Sequence, residues 1–161
     1  MNVISVKKKY VLDTNILMGF SRWLPITLNT FFWSNLENSL RNRDWVLLDV
    51  IVDEVLYDND LVKWCKQQRR NGLVTILSSD ERNRAVDINS QYPMINQSNQ
   101  NSTVDTYLVA HAEAHGLTIF SQESNRLTTA DLYKIPDACA ALNIQNIRKP
   151  VNFLKDIGFR N

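Results

Sequence analysis

The apolar positions of this chain fall into short unbroken runs separated by longer periodic stretches. Tyr10-Val11-Leu12 is apolar throughout and stops at Asp13, which predicts a buried strand over Tyr10–Asp13 turning at once into a brief helical segment from Ile16 to Phe20. Pro25 suits the first turn of a helix reaching about Asn42, with Ile26, Leu28, Phe32, Leu36 and Leu40 as its stripe. Trp45 to Leu48, bounded by Asp44 and Asp49, predicts a second strand. Val50 to Tyr57 predicts a helix with one buried side. Asp58-Asn59-Asp60 then re-caps the chain before a helix over Leu61–Arg70 that Asn71-Gly72 closes.

Leu73 to Leu77 predicts a short strand, and Ser78-Ser79 opens a helix to about Tyr92, ended by Pro93. Asn96 to Thr103 is a polar loop. Val104 to His115 is the clearest helix, capped by Ser102 or Thr103 and stopped by Gly116. Leu117 to Phe120 is a short strand and Ser121 to Asp131 a polar loop. A small helix follows from Ile135 to Leu142, then an edge strand over Ile144–Ile147 and a terminal helix over Val151–Ile157 opened by Pro150. Strands alternating with helices predict a three-layer α/β/α fold with a central, mainly parallel sheet, in a single domain over 1–161.

Composition narrows the classes. With 161 residues and a hydrophobic share of 44%, the chain can bury one real core. No apolar run approaches the roughly 20 residues that cross a bilayer. The stretch Met1 to Lys9 has no apolar signal core, so a cytoplasmic protein is expected. Cys65 and Cys139 lack the spacing of a zinc site and are expected as buried thiols. The 4 glycines include no G-x-G arrangement, which argues against a dinucleotide loop. The formal charge of +1 does not by itself mark a nucleic-acid binder. Setting four acids aside at one site, however, leaves 18 bases against 13 acids. Cations outside and carboxylates inside suit a metal-dependent nuclease.

The four acids are Asp13, Glu54, Asp105 and Glu123, and each alone has an ordinary explanation. Asp13 can cap a helix, Glu54 can lie on a solvated face, Asp105 can favour a helix dipole three positions after Ser102, and Glu123 can be a loop residue. Together they say more. Asp13 and Glu123 each follow a short apolar strand and belong at one edge of a parallel sheet. Glu54 and Asp105 lie in or near first turns of helices, and crossover helices begin at that same edge. Two carboxylates about 4 Å apart repel by roughly 4 kcal/mol at an effective dielectric of about 20. Such a cluster binds a divalent cation or takes up protons, and all-oxygen ligation points to Mg²⁺ or Mn²⁺ rather than zinc.

These segments resemble a known family. Val11-Leu12-Asp13-Thr14-Asn15 resembles the opening strand of the PIN domain, a metal-dependent ribonuclease fold. Val52-Asp53-Glu54-Val55 resembles its second acidic site, and Asp105-Thr106-Tyr107-Leu108-Val109-Ala110-His111-Ala112 its third. Leu117 to Phe120 followed by Ser121-Gln122-Glu123 resembles the strand carrying the fourth acid. In many family members that acid is an aspartate at the position of Gln122 here, so the longer arm of Glu123 would reach from one residue further on. Trp64, Ser121-Gln122-Glu123 and Ile135-Pro136-Asp137-Ala138-Cys139 also resemble an uncharacterised PIN-like subgroup of bacteria and archaea, with Asp137 as a first-turn cap or near the cleft.

The resemblance implies an Mg²⁺- or Mn²⁺-dependent endoribonuclease acting on single-stranded RNA, as the toxin of a type II toxin–antitoxin system with an antitoxin partner. Asp13, Glu54, Asp105 and Glu123 would hold one or two ions, water activated there would attack phosphorus, and Asn15 and Ser121 would orient water or a carboxylate. Lys7 to Lys9, Arg126 and Lys134 are candidate phosphate contacts. His111 and His115 have a metal-compatible i, i+4 spacing, but Asp105 is six positions before His111 and only partly on the same face. Phe20, Trp23, Phe31, Phe32 and Trp33 lie close together and suggest a homodimer face or an antitoxin groove. The alternative is a catalytically weak PIN-like module that binds RNA or protein. An aspartyl-nucleophile phosphotransferase is set aside, because Asn15 stands where its second aspartate belongs.

Overall fold

A computed structural model describes residues 9–159; Lys7 and Lys8 of the basic lead lie outside the described residues. Five strands form one sheet in the order β3-β2-β1-β4-β5, and every pairing is parallel. They are β1 (Tyr10–Leu12), β2 (Trp45–Leu48), β3 (Val74–Thr75), β4 (Thr118–Phe120) and β5 (Asn146–Ile147). β1 and β4 are buried at every position, the mark of strands covered on both faces.

The helices are α1 (Thr14–Trp23), α2 (Thr30–Arg41), α3 (Asp49–Glu54), α4 (Asn59–Arg70), α5 (Ser79–Gln91), α6 (Thr103–His115), α7 (Ile135–Leu142) and α8 (Pro150–Asp156). They sort into two layers. Phe20 of α1, Phe32 and Trp33 of α2, Trp64 of α4 and Phe153 of α8 form a chain of ring contacts with Tyr10, Trp45 and Phe120 of the sheet. The other group is built around α6, which packs on α5, α7 and β4. The thiols of Cys65 and Cys139 are free and buried, and burial pushes both up to about 12. No helix among the described residues is long and apolar enough to cross a membrane.

Several boundaries differ from the sequence expectation. The first strand ends at Leu12, and Asp13 is the residue before α1, which is ten residues long rather than a single turn. Pro25 does not open α2. Its carbonyl accepts from the Leu28 and Asn29 amides in a separate turn, which leaves Leu28 81% exposed and outside the stripe. β3 and β5 have two residues each, shorter than the apolar runs around them. The helix after β2 stops at Glu54, because Val55 is extended and Asp58, in the left-handed region at φ 66°, starts α4 with its own carboxylate on the Leu61 amide. Glu54 is therefore the last residue of a short helix, not part of a first turn.

The strand order locates a binding edge. From β1 the chain moves to β2 and β3 on one side; from β4 it moves to β5 on the other. The crossovers diverge between β1 and β4, and open parallel sheets bind ligands outside the carboxyl ends of their strands at such a point.

Candidate metal centre

Two main-chain bonds fix that edge. The Asp13 amide donates to the Phe120 carbonyl at 2.9 Å, and the Ser121 amide donates to the Ile147 carbonyl at 3.1 Å. β1 and β4 therefore end side by side, each delivering a polar residue at its last rung. The Ser121 hydroxyl donates to Asp13 Oδ2 at 2.7 Å and accepts from the Glu123 amide at 3.1 Å. Asn15 bridges the same gap: its Oδ1 accepts from the Gln122 amide at 3.2 Å and its Nδ2 lies 3.5 Å from Ser121 Oγ.

Asp105 reaches the edge from the first turn of α6. Its helix is preceded by Ser102 in the left-handed region (φ 70°), which offers no side-chain cap to the backbone. The hydroxyl bonds Asp105 instead. Glu123 arrives one residue later than an aspartate at Gln122 would, and its carboxylate is steadied by the Ile135 amide, 3.3 Å from Oε2. Asp13, Asp105 and Glu123 each bring a carboxylate oxygen within 4.8 Å of the others. Glu54 stands outside this triad on an exposed helix end. It shares the same cleft, of about 340 Å³, with Asp13, Thr14, Asn15, Met18, Asp105 and Glu123, and it accepts a hydrogen bond from the Thr14 hydroxyl.

The electrostatics follow from this crowding. Burial, then the charges of Asp13, Glu123 and Glu54, pushes Asp105 up to about 8 against the pull of Ser102. Burial raises Asp13 as well, opposed by the Ser121 hydroxyl and the Thr14 and Asn15 amides and reinforced by Glu54. Glu123 is raised by burial and by Asp13, while the Ile135 amide and Lys134 pull it down. A metal-free cluster of this kind holds protons. The donors are all carboxylate oxygens, a set that fits a hard divalent cation such as Mg²⁺ or Mn²⁺.

The other residues singled out in the sequence are placed as follows. Lys134 is the residue before α7, within electrostatic reach of Glu123. Arg126 is spent on its own loop: its guanidinium lies 3.8 Å from the Tyr133 ring centre and donates toward the Thr129 and Asp131 carbonyls. Lys9 precedes β1 and lines a cleft at the opposite, amino edge of the sheet. Asp137 is a cap, accepting from the Arg126 and Lys134 amides at 2.9 Å each and from Asn125 Nδ2 at 3.0 Å. His111 and His115 turn away from Asp105 to Glu81. Thr14 carries no sequence signal beyond sitting next to an acid of the site, and Ser102, expected as a helix cap, gives its hydroxyl to Asp105 instead.

Fold and site thus define an α/β protein with a carboxylate-lined cleft at the switch point of a parallel sheet. The chain belongs to the family described as Domain of unknown function (DUF4411), which matches over residues 10–160. No curated protein matches it. A solved structure described as "Structure of FitAB bound to IR36 DNA fragment" aligns over 94% of this chain and 98% of its own, at 14% identity and a TM-score of 0.48, an overlap too loose to carry a function across.

Proposed function

We propose that this chain is a divalent-metal-dependent endoribonuclease of PIN-like design that hydrolyses phosphodiester bonds of single-stranded RNA, acting as the toxin of a type II toxin–antitoxin pair. One observation carries the reading: Asp13, Asp105 and Glu123 converge to within 4.8 Å at the sheet's switch point, with Glu54 on the wall of the same cleft. The order of the acids along the chain and the apolar strands that precede two of them support the PIN-like reading.

In this reading Asp13, Asp105 and Glu123 hold Mg²⁺ or Mn²⁺, with Glu54 across the cleft. A bound ion supplies positive charge to the scissile phosphate and lowers the pKa of water beside it. Asp105 gives up its carboxyl proton as the site fills. Ser121 and Asn15 keep the Asp13 carboxylate oriented, as supporting hydrogen bonds do at metal sites. Thr14 holds Glu54 against the cleft wall, and Lys134 offers a cation to the RNA backbone near Glu123.

The surface offered to an antitoxin, or to a second copy of the chain, is the segment that exposes Trp23, Leu28 and Phe31. Trp23 also lines an apolar groove of about 360 Å³ with Ile16, Phe20, Phe32 and Leu154. A sharp monomer in light scattering at high concentration would count against the homodimer.

The activity is tested by incubating a labelled single-stranded RNA pool with the protein and Mn²⁺ or Mg²⁺, with and without EDTA. Metal-dependent cutting supports the nuclease. A folded protein that binds Mn²⁺ and cuts none of several RNAs is the binding module instead.

A further inference from the structure

A second cluster of ligating side chains lies at the other edge of the sheet. α6 places His111 and His115 one helical turn apart on a single face, with ring centres 4.4 Å from each other. α5 packs against that face and contributes Glu81. Its Oε1 lies 3.0 Å from His111 Nδ1 and 2.5 Å from His115 Nε2, and all three residues offer ligand atoms within 4.8 Å of one another. We propose that Glu81, His111 and His115 form a binding site for a divalent transition ion of the zinc class, separate from the carboxylate cleft and independent of the nuclease reading.

The donor chemistry differs from that of the first site. Two imidazoles and one carboxylate select zinc-like ions over Mg²⁺. A tetrahedral ion with bonds of about 2.0–2.2 Å separates its ligands by roughly 3.3–3.5 Å. His115, whose side chain is 53% exposed, has room to swing out by that difference. The carboxylate is already oriented: Glu81 Oε2 accepts from the Ser78 amide at 2.9 Å while the Ser78 hydroxyl accepts from the Glu81 amide at 3.1 Å. Arg84 and Glu113 strap α5 to α6 beside it through bonds of 2.7 and 3.0 Å. His111 and His115 also line a cleft of about 550 Å³ with Lys9, Arg41, Arg43 and Leu117, which gives an ion a way in and leaves room for a fourth ligand.

The experiment is titration of the full chain with Co²⁺ in place of zinc, followed by Zn²⁺ competition. Wild-type protein and the Asp105→Asn variant should both show the strong visible absorption of a low-coordinate Co²⁺ with nitrogen ligands. His115→Ala and Glu81→Gln should lose it, with Zn²⁺ affinity falling about a hundred-fold or more, the upper end of what losing even a supporting partner costs. His115 is exposed, so His115→Ala keeps the fold, and circular dichroism checks this for both variants. The proposal is overturned if wild type shows no such band and no Zn²⁺ binding, or if the band survives in His115→Ala and disappears in Asp105→Asn.

Discussion

Replacing Asp105 with asparagine should stabilise the metal-free protein while destroying its metal site. At a separation of no more than 4.8 Å and an effective dielectric of about 20, each pair of ionised carboxylates repels by at least about 3.5 kcal/mol. Burial, reinforced by two such neighbours, makes Asp105 keep its proton to about pH 8, against 3.8 for an ordinary aspartate. Between those values the folded chain binds a proton that the unfolded chain has released, so stability falls as pH rises. The contribution is fully present below 3.8 and is gone above about 8. The slope is about 1.4 kcal/mol per pH unit, on the order of 5 kcal/mol over the whole window. Asparagine has the same shape, can still accept from Ser102 and develops no charge. In chelator, urea denaturation at pH 5 should show Asp105→Asn ahead by about 1–2 kcal/mol, widening to about 3–5 kcal/mol at pH 8. Adding Mn²⁺ should raise the wild-type midpoint at pH 8 and leave the variant's unchanged. A variant less stable than wild type at pH 8, or a gap that does not vary with pH, would refute the reasoning.

Ser121→Ala removes the 2.7 Å bond to Asp13 and the acceptor for the Glu123 amide; Mn²⁺ affinity by calorimetry should fall about 10–100-fold, and an unchanged affinity would mean that Ser121 does not hold the site. Asp137→Ala strips three donors of their acceptor and should cost about 1–3 kcal/mol in denaturant. The amide and side-chain donors hold Asp137 below the usual carboxylate range, so its contribution is present above the ordinary aspartate pKa and is lost as pH falls through the folded value; a mutant whose deficit grew in acid would contradict this. Phe153→Ala empties a fully buried position against Tyr10, Phe20 and Phe120 and should cost about 3–5 kcal/mol, read from the same unfolding curves.

The parts of the site that were legible in the sequence are those fixed by local rules. Asp13 and Ser121 end apolar runs, and the parallel pairing of those runs makes them neighbours. Asp105 follows a helix start, which the crossover geometry puts at the same edge. Glu54 was legible as a member of the cleft but not in its setting. Val52 and Val55 suggest a continuing amphipathic helix, whereas the turn at Asp58 ends it early and leaves Glu54 at its last residue. The histidine spacing was plain, yet its partner was not. Glu81 reads as half of a capping box with Ser78, and only the packing of α5 on α6 reveals that its other oxygen serves His111 and His115. The sequence offers Arg126 as a phosphate contact because stacking on Tyr133 depends on a loop path that no period encodes. The two-residue strands β3 and β5 were visible only as apolar runs, since their extent is set by pairing with β2 and β4.

The most direct measurement is single-turnover cleavage of one labelled RNA by wild type, Asp13→Asn and Asp105→Asn in Mn²⁺, each protein first shown to be folded. The expected result is cutting by wild type that EDTA abolishes and that both variants lose, even though Asp105→Asn is the more stable protein in chelator. Cutting that survives both substitutions would contradict the assignment of the site.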